Sequence, residues 1–210
     1  MSAVLCYRRT IKSAFDHSFV FFANLSLILP DKGGICLGTR VLVLMGSDSD
    51  LPVMRAALEA PAALQVTTEV HILSAHRTPQ QLADLMKKAP ERGIRVIIAG
   101  AGAAAHLAGV VAAHTLLPVI AVPLSGKLLG LDALLAEVQM PKGIPVATVA
   151  IDGAFNAGLL ACQILAVGDP SLEERLVAYR EHLAAEVAEK DALLQSYGVD
   201  GYLQRKGTRG

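Results

Sequence analysis

From Arg40 onward, short apolar runs alternate with amphipathic stretches at close intervals. RVLVLM (residues 40–45), IRVIIAG (94–100), LPVIAVP (117–123) and PVATVAI (145–151) are near-continuous apolar runs of strand length, and VTTEVHIL (66–73) is β-branched and alternating. Runs of this length, rich in β-branched residues, predict five strands. Between and after them, LPVMRAALEA (51–60), PQQLADLMKKA (79–89), AAAHLAGVVAAH (103–114), LDALLAEVQ (131–139) and FNAGLLACQILAV (155–167) predict five helices, with Pro52 tolerated in the first turn of the first. Strands that alternate with helices imply a parallel sheet covered on both faces, which is why its strands are apolar throughout. The predicted architecture is a three-layer α/β/α, flavodoxin-like fold with a five-stranded parallel sheet.

A sixth helix is predicted beyond the sheet. Ser171 and Glu174 have capping-box spacing, and Leu172, Leu176, Tyr179, Leu183, Val187 and Leu194 form one stripe before Gly198, a plausible stop. Five helices already cover five strands, so this stripe is expected to lie on a neighbouring subunit. The expected organisation is an N-terminal extension (1–38), an α/β catalytic domain (39–170), a C-terminal helix (171–196) and a tail (197–210).

Composition separates the extension from the rest. Phe15, Phe19, Phe21 and Phe22, four of the five phenylalanines, lie in it, as do Cys6 and Cys36. SFVFFANLSLIL is too short to span a bilayer. With Arg8, Arg9 and Lys12 ahead of it, it has the look of an export signal, yet no A-x-A cleavage site follows. It is therefore read as lying outside the fold. Cys6, Cys36 and Cys162 form no CxxC pair, which fits a reducing compartment and offers no disulfide frame or zinc site. Nineteen basic residues balance nineteen acidic ones, so charge argues for neither nucleic acid nor an anionic membrane as partner.

The polar residues fall in five places: GSDSD (46–50), SAHRTP (74–79), GAGAAAH (100–106), PLSGK (123–127) and DGAFN (152–156). Each follows a predicted strand. In an open α/β sheet the ligand crevice lies at the carboxyl ends of the strands, so all five loops share one edge. Thr78 is read as an N-cap, Pro79 as the first helical residue and Gln81 as the partner in a capping box. His76 and Arg77 then stand just ahead of a helix N-terminus, where a guanidinium suits a phosphate or carboxylate. Ser47 and Ser49 can add donors. His17, His71, His114 and His182 lack such company and are read as structural or exposed.

MGSDSD, SAHRTP, GAGAAAHL, GLDALLAEVQMPKGIPVATVAI and NAGLLACQIL, in this order and spacing, resemble the class I N5-carboxyaminoimidazole ribonucleotide mutases of purine biosynthesis over residues 40–185. The resemblance implies an isomerase. It would move a carboxyl group from the exocyclic nitrogen of a ribonucleotide to ring carbon four, through trapped carbon dioxide, without metal or cofactor. It makes His76 the general acid/base, gives His106 a supporting role, and puts Ser47, Asp50 and Arg77 on phosphate and ribose. Gly100, Ala101 and Gly102 would bring backbone amides to the carboxylate, and Ser49, Ser74 and Leu107 complete the substrate-binding set. A homo-octamer in the cytoplasm is implied, with the C-terminal helix packing across subunits. Ala103 and Ala108 stand where the family usually has glycine and proline, and Ala133 and Ala136 where it has serines. If position 103 needs a positive φ, alanine there costs about 1 kcal/mol.

Other readings stay open. A direct aminoimidazole ribonucleotide carboxylase or a diverged paralogue would share these motifs. A flavodoxin-like electron carrier would want aromatics in the first four strand-end loops, which have none. A receiver module would want an aspartate where AGAG ends the third strand.

Overall fold

Strand β1 (Arg40–Met45) is an interior strand of the sheet, and Val41, Leu42, Val43, Leu44 and Met45 are all fully buried. That is the physical reason for its unbroken apolar sequence: its side chains alternate between two faces, and both faces are covered. The computed structural model describes residues 40–207. The chain divides into two units, Met1–Cys36 and Leu37–Gly210, and the expectations for residues 1–38 fall outside the described residues.

The other strands are β2 (Thr67–Ile72), β3 (Ile94–Gly102), β4 (Val119–Leu124) and β5 (Ala147–Thr148). All pairings are parallel, in the order β2-β1-β3-β4-β5. This is the flavodoxin-like order, whose switch point lies between β1 and β3. The central strands match the sequence reading. β5 is shorter than the predicted 145–151, because at the sheet's edge only Ala147 and Thr148 pair with β4.

Helices α1 (Leu51–Met54) and α2 (Glu59–Ala63) follow β1, joined by a 3-10 segment, Arg55–Leu58. The sequence reading had one continuous helix here. Next come α3 (Pro79–Lys88), α4 (Leu107–Ala113), α5 (Leu131–Val138) and α6 (Ala154–Ala166). Two apolar clusters sandwich the sheet. On one face Val41, Val43, Met45, Val96, Ile98 and Val122 meet Met54 and Ala57 together with Ala157, Ala161 and Cys162 of α6. On the other, Leu42, Leu44, Ile97, Ala99 and Ala121 meet Leu82 and Met86 of α3, Val111 of α4 and Ala133 of α5. Burial pushes the Cys162 thiol up to about 11, against the opposing pull of Arg175.

The C-terminal helix α7 runs from Pro170 to Gly207, with a break at Gly198 (φ 64, ψ 176). The predicted stop is thus a kink, followed by further helix where a tail was expected. Its cap differs too. Asp169 Oδ1 accepts from the Ser171 and Leu172 backbone N–H groups, both at 3.1 Å, so Asp169 does what Ser171 was expected to do. Those bonds, the Leu172 N–H foremost and then the Ser171 hydroxyl, hold the Asp169 carboxyl below its ordinary value. The stripe is divided. Leu172 is 1% exposed, and Leu176 and Tyr179 pack on the first cluster of their own domain. Arg175 Nε donates to Leu64 O at 2.9 Å and anchors this end. Beyond it, among the described residues, the stripe members Leu183 and Val187 are exposed and Leu194 is half-buried, and Tyr197 and Leu203 further along the helix are exposed as well.

Candidate active site

The exits of β1, β2 and β3 adjoin because those strands adjoin in the sheet. At the β1 exit, Ser47 caps a single 3-10 turn, Asp48–Asp50. Its Oγ accepts from the Ser49 N–H at 3.3 Å, and its own N–H donates to Asp50 Oδ2 at 3.1 Å, a capping box that the sequence reading did not assign. The Ser49 hydroxyl lies 2.9 Å from the Ser47 hydroxyl. Three polar side chains are thereby gathered at the start of α1.

At the β2 exit, one serine shapes the turn. Ser74 Oγ accepts from the His76 and Arg77 N–H groups at 3.3 and 3.2 Å. Thr78 does not cap α3 with its side chain. Its Oγ1 accepts from Ser74 N at 2.9 Å and donates to Ser74 O at 3.0 Å, so the expected capping box with Gln81 does not form. The reason is local competition: a hydroxyl closing the turn behind it is lost to the helix ahead. Pro79 is the first helical residue, as read. The turn lifts His76 and Arg77 into exposed positions. Arg77 Nη2 donates to Gly46 O at 2.7 Å, tying the β2 exit to the β1 exit and fixing the guanidinium beside Ser47.

The β3 exit brings the second histidine. His76 Nε2 lies 2.8 Å from His106 Nδ1, with the rings edge to face at 5.0 Å and 89°. One nitrogen of this pair must donate and the other accept, so the pair shares one proton. His76 Nδ1 and His106 Nε2 are left for other partners.

The rest of that loop departs from the expected helix over 103–114. Ala103 (φ 53) and Ala105 (φ 48) occupy the left-handed region, so α4 starts only at Leu107. The expectation of a positive φ at position 103 is met, and alanine carries the strain there. Gly100 is required by packing: a Cβ on it would stand 2.2 Å from Met54 Sδ. Leu107 is 3% exposed and packs in the second cluster, so only its backbone remains for a substrate. Gly102 is half-buried and stays at the rim.

The remaining histidines behave as read where they are described. His71 bonds Glu69 at 2.6 Å, and Arg92 also bonds that carboxylate. His182 lies 3.3 Å from Glu186, and His114 is exposed. Among the described residues, no group of three or more histidine, cysteine or acidic side chains could hold a metal ion. No described helix is long and apolar enough to cross a membrane.

Two acidic residues have no role of their own in the sequence reading, although Asp152 opens one of its five polar loops. Asp152, at the β5 exit, takes a left-handed backbone (φ 56) and accepts from the Ser125 N–H at 2.9 Å. Glu137 of α5 is 1% exposed, and neither carboxyl oxygen has a hydrogen-bond partner among the described residues. Burial alone pushes its carboxyl up to about 8. Its i,i+4 spacing from the buried Ala133 was the available signal.

A parallel sheet with a histidine pair and an arginine tied across its strand exits marks an α/β protein whose strand-exit edge is suited to an anionic small molecule. The comparisons narrow that class. The AIR carboxylase family model matches residues 40–186. The N5-carboxyaminoimidazole ribonucleotide mutase of Mycobacterium tuberculosis is 57% identical over 157 residues, covering 74% of this chain and 90% of that protein. The mutase of Pyrococcus horikoshii is 54% identical over 162 residues, covering 77% and 92%. Among solved structures, Treponema denticola PurE superposes with a TM-score of 0.68 at 28% identity, covering 74% of this chain and 98% of that one. The chain belongs to the AIR carboxylase family.

Proposed function

We propose that this chain is an N5-carboxyaminoimidazole ribonucleotide mutase of purine biosynthesis. It converts its substrate to 4-carboxy-5-aminoimidazole ribonucleotide. The observation that carries this reading is the His76–His106 pair at 2.8 Å, beside an arginine bonded to the β1 exit. His76 protonates the carbamate nitrogen. The carbon–nitrogen bond breaks and carbon dioxide forms beside the aminoimidazole. Ring carbon four attacks the trapped gas, and His76 takes back a proton from that carbon. The proton account closes, so no other acid or base is consumed. His106, sharing a proton with His76, steadies the ring between its two roles. Holding both fragments in place makes recapture close to unimolecular.

The test is an assay of the carbamate and of aminoimidazole ribonucleotide, each with and without bicarbonate. Turnover of the first, independent of bicarbonate, is expected. Turnover of the second alone would make the chain a direct carboxylase.

Arg77 and Ser47 bind the 5′-phosphate in this reading. Arg77→Ala is expected to weaken ribonucleotide binding about tenfold or more, the scale of a lost charge-assisted hydrogen bond. Affinity for the dephosphorylated nucleoside should stay unchanged. Equal losses for both ligands, read by calorimetry, would remove Arg77 from the phosphate.

The working form in this reading is a homo-octamer. Two exposed apolar surfaces support assembly: the outer face of α5 with Leu131, Leu135 and Val138, and the outer half of α7 with Val187, Tyr197 and Leu203. Patches of this kind mark protein contacts. Because Leu172 and Tyr179 belong to the parent core, the informative truncation ends at Arg180. That protein should fold yet lose subunits and activity together, as read by light scattering and turnover. An active oligomer of unchanged size would rule out the outer helix as the clasp. We place the enzyme in the cytoplasm, where a phosphorylated, membrane-impermeant substrate is retained.

A further inference from the structure

We propose that Asp152 is a positioning residue for the mutase reaction, holding the loop of residues 125–130 as a wall of the substrate site beside the β3 exit. The proposal rests on the mutase reading above.

The loop starts in the right place. β4 pairs its Leu124 with Gly102 of β3, so Ser125 begins one residue beyond that pair, alongside the Ala103 loop that leads to His106. Packing does little to hold it there, because residues 125–129 are all exposed. Its own bonds are turn bonds, Leu129 N to Gly126 O at 3.0 Å and Leu131 N to Leu128 O at 3.1 Å. Leu129 (φ 56) also stands in the left-handed region, a conformation a leucine keeps only when its surroundings impose it.

The β5 exit closes on the residues at both ends of this loop. Gly130 (φ +79) ends the loop so tightly that a Cβ would meet Ile151 Cγ2 at 2.7 Å and Ser125 Cα at 3.2 Å. Both ends of the loop therefore come together against Ile151 and Asp152. Asp152 then grips β4 twice. Its N–H donates to Pro123 O at 2.8 Å, and its Oδ1 accepts from Ser125 N at 2.9 Å. The two bonds fall on either side of Leu124. β5 has only two paired residues, so this grip stands where a longer ladder would otherwise align the β4 exit. Aspartate suits the task because it tolerates the left-handed backbone and carries an acceptor on a short side chain. The loop so held carries Ser125 and Lys127, a hydroxyl and an ammonium, donor types suited to an anionic substrate.

Two variants separate the acceptor from the backbone. Asp152→Gly keeps the left-handed conformation and removes the carboxylate, and Asp152→Asn keeps an acceptor oxygen. Asp152→Gly is expected to raise KM about tenfold while kcat changes far less, the scale of one lost charge-assisted hydrogen bond. Asp152→Asn should stay within about twofold of the natural protein, because its amide oxygen still reaches Ser125 N. A KM unchanged in Asp152→Gly, whatever its melting temperature does, overturns the proposal. So does an Asp152→Asn protein as impaired as Asp152→Gly. A natural protein inactive on the carbamate would refute the mutase reading alone. Calorimetric binding of 4-carboxy-5-aminoimidazole ribonucleotide to the same three proteins then decides the positioning role by the same criterion.

Discussion

Replacing His76 with asparagine is expected to lower kcat by about 10²–10⁴-fold, the usual contribution of a positioned acid or base. Asparagine keeps a polar group of similar reach, so the exposed turn built by Ser74 and Thr78 has no reason to rearrange. KM and thermal stability should therefore change little. The split matters, because in this reading Arg77 binds substrate while His76 acts only as bonds break and form. Steady-state kinetics and a melting curve on the purified variant decide the point. Turnover near that of the natural protein would remove His76 from the acid/base role. His106→Asn should cost less, since His106 acts through His76 across the 2.8 Å bond.

The second large effect concerns stability. Glu137 has a folded-state pKa of about 8 against an ordinary 4.5, because burial disfavours its charge and no described residue bonds its carboxyl oxygens. A carboxyl raised on folding binds its proton more tightly in the folded state. It does no harm below pH 4.5, where both states are protonated. Above that, the unfolded state ionises and gains, so stability falls as pH rises until the folded carboxyl itself ionises near 8. At pH 7 the loss amounts to roughly 3 kcal/mol, at 1.36 kcal/mol per pKa unit. Glu137→Leu should recover most of this and raise the melting temperature by about 6–12 °C at neutral pH. Below pH 4.5 the variant and the natural protein should converge. Denaturation measured at pH 4.5, 6 and 8 checks the sign: curves that stay parallel across pH would show that Glu137 is not buried and unpartnered in solution.

α5 shows where pattern reading stops. LDALLAEV carries leucines at positions that invite burial, yet Leu131, Leu135 and Val138 are exposed while Ala133 and Glu137 are buried. Helical period states which residues share a face, not which face meets the sheet. Space against β4 decides that, and it admits alanine at position 133. The leucines are left for a neighbour.

The alternation of strands and helices was determined by the sequence alone, because it is a local property. A strand buried on both faces must be apolar at every position, and Val41 to Met45 satisfy that without reference to anything distant. The common edge for the polar loops followed from the same alternation. SAHRTP carried its own turn chemistry, although Thr78 and Ser74 settled their hydrogen bonds differently from the expected cap. Only the tertiary structure decided the strand order β2-β1-β3-β4-β5, since crossovers choose among neighbours that no local pattern names. From that order comes the meeting of His76 and His106, thirty positions apart, across the exit of β1. So too does Arg77 reaching Gly46, thirty-one positions away. Gly100 needs its missing side chain because Met54 arrives from another element, and Asp152 holds Ser125 because β5 closes beside β4. Each of these is a contact between segments distant in the chain, with an energy set by where the folded sheet places them.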